Sequence, residues 1–174
     1  MDAQDLTPAQ TVGPFYGFAL PYPGGPQIVE GGDLRVHGAV FDGAGELVPD
    51  ALIEVLQADQ DGHFSQNQSH DTGFAGFGRC STAPDGRFAF TTVKPGPLSP
   101  GRAPHLSFIV HARGLLLHLH TRMYFPDEAV NDTDPVLNAV PVDRRHTLIG
   151  AATEHGIRFD IRMQGAEETV FFDI

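Results

Sequence analysis

Short segments of alternating apolar and polar residues, separated by turn residues, are the feature that most limits the folds open to this chain. LRVHGAVF (34–41) is followed by the turn DGAGE and then by ALIEVLQAD (51–59). The alternation continues in GRFAFTTV (86–93), HLSFIVHAR (105–113), LLLHLHTRMYF (115–125), IRFDIRM (157–163) and ETVFFDI (168–174). Because side chains alternate between the two faces of a strand, this period predicts half-buried strands. Many short strands with turns between them predict an all-β chain folded as an antiparallel β-sandwich.

Turn residues also divide the chain into regions. The sequence contains 20 glycines and 14 prolines, about a fifth of the residues, against roughly 12% in average proteins. Residues 1–33 are rich in these residues and show little periodicity, so we expect an extended N-terminal arm before a sandwich domain at 34–174. One short helix is expected at DRRHTLIGAA (143–152), with Asp143 as its N-cap.

Charge and cysteine content narrow the possible functions. Eleven basic and 22 acidic residues give a net charge of −11, so nucleic acid and anionic membranes are unfavourable partners. A single desolvated arginine can still bind a small carboxylate. Cys80 is the only cysteine, which excludes an internal disulfide and predicts a buried apolar residue. The N-terminal residues resemble no signal peptide and no apolar run reaches membrane-spanning length, so a cytoplasmic protein is expected.

Two neighbouring strands carry an unusual number of histidines. On each strand one face is apolar, namely Leu106, Phe108, Val110 and Ala112 on the first and Leu117, Leu119, Thr121, Met123 and Phe125 on the second. The opposite faces hold His105, Ser107, Ile109, His111 and Arg113, and then His118, His120, Arg122 and Tyr124. The pair His118 and His120 could chelate a transition metal and, with Glu128, would resemble a cupin-type site. The alternative is a set of surface or interface histidines.

Several longer strings resemble a known family. GRCSTAPDGRFAFTTVKPG, the APH that opens the next strand and TRMYFPDE are similar to segments of the intradiol ring-cleavage dioxygenases. TPAQTVGPFY near the N-terminus and GAEETVFFDI at the C-terminus extend the resemblance over nearly the whole chain. The resemblance implies an intradiol-type β-sandwich. In catalytic members it also implies a ferric ion held by two tyrosines and two histidines. Within the family, the chain most resembles the iron-less alpha subunits of heteromers that cleave protocatechuate.

This chain departs from the metal-ligand pattern that the resemblance implies. Leu98 stands where the family has a tyrosine, and Ser107 stands where it has the second histidine, while His105 is kept. The upstream stretch at 62–79, where another tyrosine is expected, contains none. Arg122 replaces a glutamine found near the metal, and its charge would repel a ferric ion. We therefore expect a vestigial metal site at Leu98, His105 and Ser107 that binds no metal.

The resemblance also implies what an iron-less chain contributes. It places the active site between this chain and an iron-bearing beta subunit, which would hold Fe(III) in an alpha–beta hetero-oligomer. Thr11, Gly13 and Pro14 of the arm, together with Arg113, match residues that contact the small-molecule substrate protocatechuate. Arg113 suits a carboxylate because its planar guanidinium can bind both oxygens. Arg102 matches an arginine beside the substrate in catalytic subunits, and here a structural role is expected.

Two other interpretations of the sequence are possible. One is a transthyretin-like binding module with no associated enzyme. The other is a cupin-like metalloenzyme that uses His118 and His120. A neighbouring gene that encodes the same scaffold with an intact ligand set would favour the heteromer over the binding module. Metal analysis of the isolated chain would test the metalloenzyme.

Overall fold

The computed structural model describes residues 8–64 and 74–173. These residues contain nine strands, which form two sheets. Their bounds are β1 Leu34–Phe41, β2 Leu52–Leu56, β3 Phe77–Ser81, β4 Arg87–Thr92, β5 His105–His111, β6 Leu119–Tyr124, β7 Ala151–Thr153, β8 Gly156–Arg158 and β9 Ile161–Arg162. The first sheet has the order β4-β1-β8-β7, with β9 also paired to β1, and the second has the order β3-β2-β5-β6. The predicted all-β class is confirmed.

The strand directions differ in part from the antiparallel prediction. All pairs of the second sheet are antiparallel. In the first sheet β1 pairs antiparallel with β4 but parallel with β8 and β9. A two-residue period is the same for both directions, so the sequence pattern gave no signal for these parallel pairs.

The main core lies between the two sheets and confirms the apolar faces of two predicted strands. Leu106, Phe108 and Val110 are fully buried, and the ring of Phe108 lies 5.2 Å from that of Phe159, measured between centroids. Cys80 is also buried, and this burial raises the pKa of its thiol to about 12, as expected of a packing residue. Leu117 is an exception to the predicted face, because it lies before β6 begins and is 67% exposed.

The helices are not where the sequence suggested. The predicted helix at 143–152 is wrong, because only a 3₁₀ turn forms at Arg145–Leu148 and no side chain caps it. Ile149 instead bridges to Tyr124 of β6, so the chain becomes extended there. The helices are α1, Tyr16–Ala19, and α2, Pro135–Ala139, with a second 3₁₀ turn at Ala129–Asp132. Within the described residues, no helix has the length and apolar character that crossing a bilayer requires.

Asp134 explains why α2 forms. Its carboxylate accepts hydrogen bonds from the backbone N–H groups of Val136 and Leu137, both at 2.9 Å, and Pro135 occupies the first helical position. This is a favourable N-terminus even for five residues. The helix covers a second, smaller core, which contains Ala103, Tyr124, Leu137, Val140 and Leu148.

Two further differences concern strands. β3 was not predicted, since its second residue is a glycine and glycine weakens a strand pattern. Gly78 is needed there because a Cβ would lie 2.5 Å from the side chain of Ile28. The segment 168–174 was predicted as a strand, but as far as residue 173 it makes only an isolated bridge between Phe172 and His120.

Candidate functional site

The predicted vestigial metal position lies on the outer face of the second sheet, where β5 begins. His105 is the first residue of β5, Ser107 follows two residues later, and Leu98 approaches from the preceding connection. The cavity between them measures about 10 Å³, which is room for about one water molecule. Its lining residues are Leu56, Gln57, Ala58, Phe64, Gly96, Leu98, His105 and Ser107. A catechol ring has no space here.

Neighbouring residues of the same chain fix the side chain of His105. Its Nδ1 donates to the carbonyl oxygen of Ala103 at 2.9 Å, since a carbonyl can only accept. The residue is buried, and its ring lies 5.5 Å from the ring of Tyr124, measured between centroids. Burial is the main cause that lowers its pKa, and the nearby charge of Arg122 lowers it further. His105 is therefore a neutral, buried histidine near pH 7.

This environment predicts an acid-sensitive fold. Unfolded His105 takes up a proton as pH falls through about 6.5, whereas the folded state resists it, so the unfolded state gains protons first. The free energy of unfolding should therefore fall below pH 6.5 by up to about 1.4 kcal/mol per pH unit, until the lowered pKa is reached. Urea unfolding from pH 7.5 to 5 measures this slope. His105→Gln should flatten it, whereas a control at an exposed histidine, His155→Gln, should not. An unchanged slope in His105→Gln would contradict the assignment.

The residues at this position do not fit a ferric ion. Leu98 offers no donor atom, and the neutral hydroxyl of Ser107 is a poor ligand for a hard cation. One imidazole nitrogen, Nε2 of His105, remains. Within residues 8–64 and 74–173, no group of three or more His, Cys, Asp or Glu side chains could hold a metal ion. The tyrosine-free stretch at 62–79 lies partly outside the described residues, at 65–73.

Arg113 lies at the other end of β5, two residues beyond its last residue His111. Its Nε contacts a carboxylate oxygen of Asp50, and its side chain is 67% exposed. Its terminal guanidinium nitrogens have no hydrogen-bond partner in the described part of the chain. A guanidinium held at one edge leaves two parallel N–H groups for a carboxylate ligand.

The N-terminal arm passes beside Arg113. The phenol of Tyr16, in α1, donates to the backbone carbonyl of Asp50 at 2.5 Å, and the residue as a whole is buried. Ser81 of β3 donates to the carbonyl of Gly17 at 3.0 Å, and Arg79 donates to that of Leu20 at 3.1 Å. These bonds fix α1 to the edge of the second sheet.

The residues before α1 lie against the connection between β5 and β6. Gln10 and Val12 share a cleft of about 250 Å³ with Ala112, with residues 115–118 of that connection and with His111 at the end of β5. Thr11 and Pro14 are exposed, and Gly13 has a positive φ of 81° with nothing within 4 Å of a Cβ position. The structure thus brings the arm and Arg113, which are far apart in sequence, to one end of the sandwich. Their role toward a substrate stays a prediction.

Three histidines form a cluster on the outer face of the second sheet. The ring centroids of His118 and His120 are 4.5 Å apart, and those of His111 and His118 are 5.4 Å apart. Burial lowers the pKa of His120, and the two neighbouring histidines lower it further. Glu128, however, lies four residues beyond the far end of β6 and pairs with Lys94 at 2.6 Å. The strand between the histidines and that end is itself roughly 17 Å long at about 3.3 Å per residue. The cupin-like set of His118, His120 and Glu128 is therefore not brought together.

Arg122 and Arg102 both lie against other parts of this chain and away from Arg113. Arg122 lies over the ring of Phe172, with its guanidinium carbon 5.8 Å from the ring centroid. Arg102 has one buried terminal nitrogen without a hydrogen-bond partner in the described part of the chain. It borders an open apolar groove beside α2, formed with Val136 and Phe172 among others, rather than the small cavity at His105.

Comparison with known proteins identifies the family. Residues 26–167 match the family described as dioxygenase. The chain is 43% identical to the protocatechuate 3,4-dioxygenase alpha chain of Burkholderia cepacia, over 97% of both chains. This chain belongs to the intradiol dioxygenase family. It is also 33% identical to the beta chain from the same organism, over 78% of this chain and 66% of the relative. The resemblance found in the sequence is confirmed.

A solved structure agrees with this intradiol assignment. The dioxygenase domain of a dioxygenase and carbohydrate-binding fusion protein from Streptomyces sp. SirexAA-E superposes with a TM-score of 0.64 and 30% identity. The match covers 93% of this chain and all of that one. The intradiol type of sandwich is thereby confirmed as well.

The sequence did not indicate two residues that join the arm to the second sheet. Asp50 was not singled out from the sequence, although it contacts both Arg113 and Tyr16. Tyr16 entered the sequence analysis only as the last residue of the string TPAQTVGPFY. An acidic residue in the turn before β2 gives no signal of its own. An aromatic residue inside a Pro- and Gly-rich arm is a weak signal for an anchor.

Proposed function

We propose that this chain is the iron-less alpha subunit of a protocatechuate 3,4-dioxygenase and acts with an iron-bearing beta subunit. The observation that carries the proposal is its 43% identity, over 97% of both chains, to a protein named as such an alpha chain. A beta chain among its relatives supports a partner built on the same scaffold. The reaction inserts both atoms of O₂ between the two hydroxyl-bearing carbons of protocatechuate and gives 3-carboxy-cis,cis-muconate.

The donor set supports a division of labour between the subunits. Leu98, His105 and Ser107 surround about 10 Å³ of space and do not fit iron, so we assign the iron to the partner. A ferric ion there would bind the two hydroxyls and supply the redox chemistry. The carboxylate of the substrate then needs a separate contact, and this chain offers one in Arg113.

Two parts of this chain are proposed to complete the pocket. Arg113 would bind the carboxylate through its two terminal nitrogens, because Nε is already occupied by Asp50. Thr11, Gly13 and Pro14 would border the ring. Gly13 lacks a side chain and has open space around its Cα, so its backbone can approach a flat ligand closely. Both parts are accessible in the single chain and lie on the same end of the sandwich.

Expression with and without a partner tests this function. Alone, the chain is expected to be colourless, to bind no stoichiometric iron and to cleave no protocatechuate. Co-expressed with an iron-bearing beta chain, it should form a complex with one iron per alpha–beta pair and with ring-cleaving activity. Metal analysis and the visible absorbance of ferric tyrosinate measure both states. One iron per isolated chain, or full activity of the beta chain alone, would contradict the proposal.

A further inference from the structure

We propose that Asp50 is a positioning residue that joins the two parts of the chain that reach the shared pocket. Its carboxylate holds Arg113, and its backbone carbonyl holds Tyr16 of the arm. The inference rests on the proposed function, because it concerns how that pocket is assembled. The carboxylate of Asp50 would position Arg113, and its backbone carbonyl would position the arm.

The location of Asp50 suits this task. It lies in the turn just before β2, whose first residue Leu52 pairs with His111 near the end of β5. The side chain of Asp50 is 32% exposed, whereas that of Arg113 is 67% exposed. The less exposed carboxylate therefore anchors the more exposed guanidinium. β2 is a central strand, so this anchor is fixed to the core of the second sheet.

The contact with Nε fixes where Arg113 points. An exposed arginine has many rotamers, and ordering it on binding costs affinity. Contact at Nε restrains the guanidinium plane before substrate arrives and leaves the terminal nitrogens available. The carboxylate also offsets part of the positive charge of Arg113. Positioning and charge therefore act in opposite directions on substrate affinity, and we propose that positioning prevails.

The contact with Tyr16 fixes the arm. The phenol is buried, and burial first and the charge of Asp50 second raise its pKa. Tyr16 therefore stays a hydrogen-bond donor across the working pH range. Pro14 lies only two residues before Tyr16, so this bond restrains the position of the proposed pocket residues.

Substitution at Asp50 tests whether its side-chain carboxylate positions Arg113. In the complex with an iron-bearing beta chain, Asp50→Asn is expected to raise KM for protocatechuate about 2- to 10-fold, the range set by one ordered side chain. The kcat and the KM for catechol, which lacks the carboxylate, should change little. Asp50→Glu should restore part of the loss. The matched control is Asp85→Asn, which removes an exposed carboxylate paired with Nε of Arg87. A lowered KM, or equal changes for both substrates, would overturn the role.

Substitution at Tyr16 tests whether the backbone carbonyl of Asp50 holds the arm in place. Tyr16→Phe removes one hydroxyl, which donates to the carbonyl of Asp50 and accepts from the backbone N–H of Arg113. It is expected to reduce kcat/KM for protocatechuate and catechol by a similar factor, because the arm is released while the side chain of Arg113 keeps its carboxylate partner. Unchanged kinetics for both substrates would overturn the arm contact.

A readout without turnover separates this inference from the proposed function. In the full chain, the Nε–H signal of Arg113 in ¹⁵N-resolved NMR should be protected from exchange and should lose that protection in Asp50→Asn. An inactive wild-type complex would contradict the proposed function. An unprotected Nε–H signal in the wild-type chain would contradict the role of Asp50.

Discussion

Replacing Arg113 with alanine is expected to raise KM for protocatechuate about 10- to 150-fold in the complex with an iron-bearing partner, and to leave KM for catechol nearly unchanged. A hydrogen bond to a charged group is worth about 1.5–3 kcal/mol, and about 1.4 kcal/mol corresponds to a factor of ten. The carboxylate lies away from the carbons that react. The contact is therefore similar in the ground and transition states, and kcat should stay nearly constant. Steady-state kinetics with both substrates measure the effect.

Two further variants define the result for Arg113. Arg113→Lys should recover only part of the loss, because an ammonium group cannot bind both oxygens in the same plane. Arg87→Ala removes another exposed arginine that is paired with an aspartate and should leave both KM values unchanged. Assembly of each complex is checked by size-exclusion chromatography. Equal losses for protocatechuate and catechol would mean that Arg113 supports the interface, and the carboxylate contact would then be withdrawn.

Deleting residues 1–14 should leave the sandwich folded but reduce kcat/KM for ring cleavage by about 100-fold or more, the loss associated with a misplaced active-site group. The deletion removes Thr11, Gly13 and Pro14 and keeps Tyr16, whose buried phenol holds α1 in place. Little core area is lost, so the free energy of unfolding should change by less than about 1 kcal/mol. Stopped-flow activity and urea unfolding of the same complex give the two values.

A length-matched replacement serves as the control for the deletion. Residues 9–14 replaced by a Gly-Ser segment should fold and assemble, and should lose as much activity as the deletion. If either variant kept wild-type kinetics, the arm would be only a tail. If the deletion prevented assembly, the Gly-Ser variant would separate a binding role of the arm from a role in the pocket.

The sequence predicted most strands because their pattern is local. LRVHGAVF at 34–41 became β1 with the same bounds, since one buried face is enough to define a strand. The parallel pairing of β1 with β8 and β9 depends on contacts between distant segments, and alternation contains no information on direction. The helix at 143–152 failed for a related reason, because the backbone of Gly150 bonds to Tyr124 of β6 at 2.9 Å instead of continuing a helix.

The candidate site was predictable only where residue identity decides the chemistry. Leu98 offers no donor atom in any fold and Ser107 offers only a poor one, so the sequence alone predicts that this position binds no iron. The meeting of Asp50, Arg113 and Tyr16 could not be predicted, because each belongs to a different segment and they come together only when the second sheet forms. The small volume of the cavity at His105 is likewise a result of packing.

The small cavity at Leu98, His105 and Ser107 would make an iron site hard to gain here in evolution. A tyrosine at 98 and a histidine at 107 would restore two donors, but both side chains exceed the roughly one-water volume that is free there. Either change alone would add crowding without completing a ligand set, so natural selection has no useful intermediate to favour. Under the proposed function, such a chain would stay dependent on its iron-bearing partner for ring cleavage.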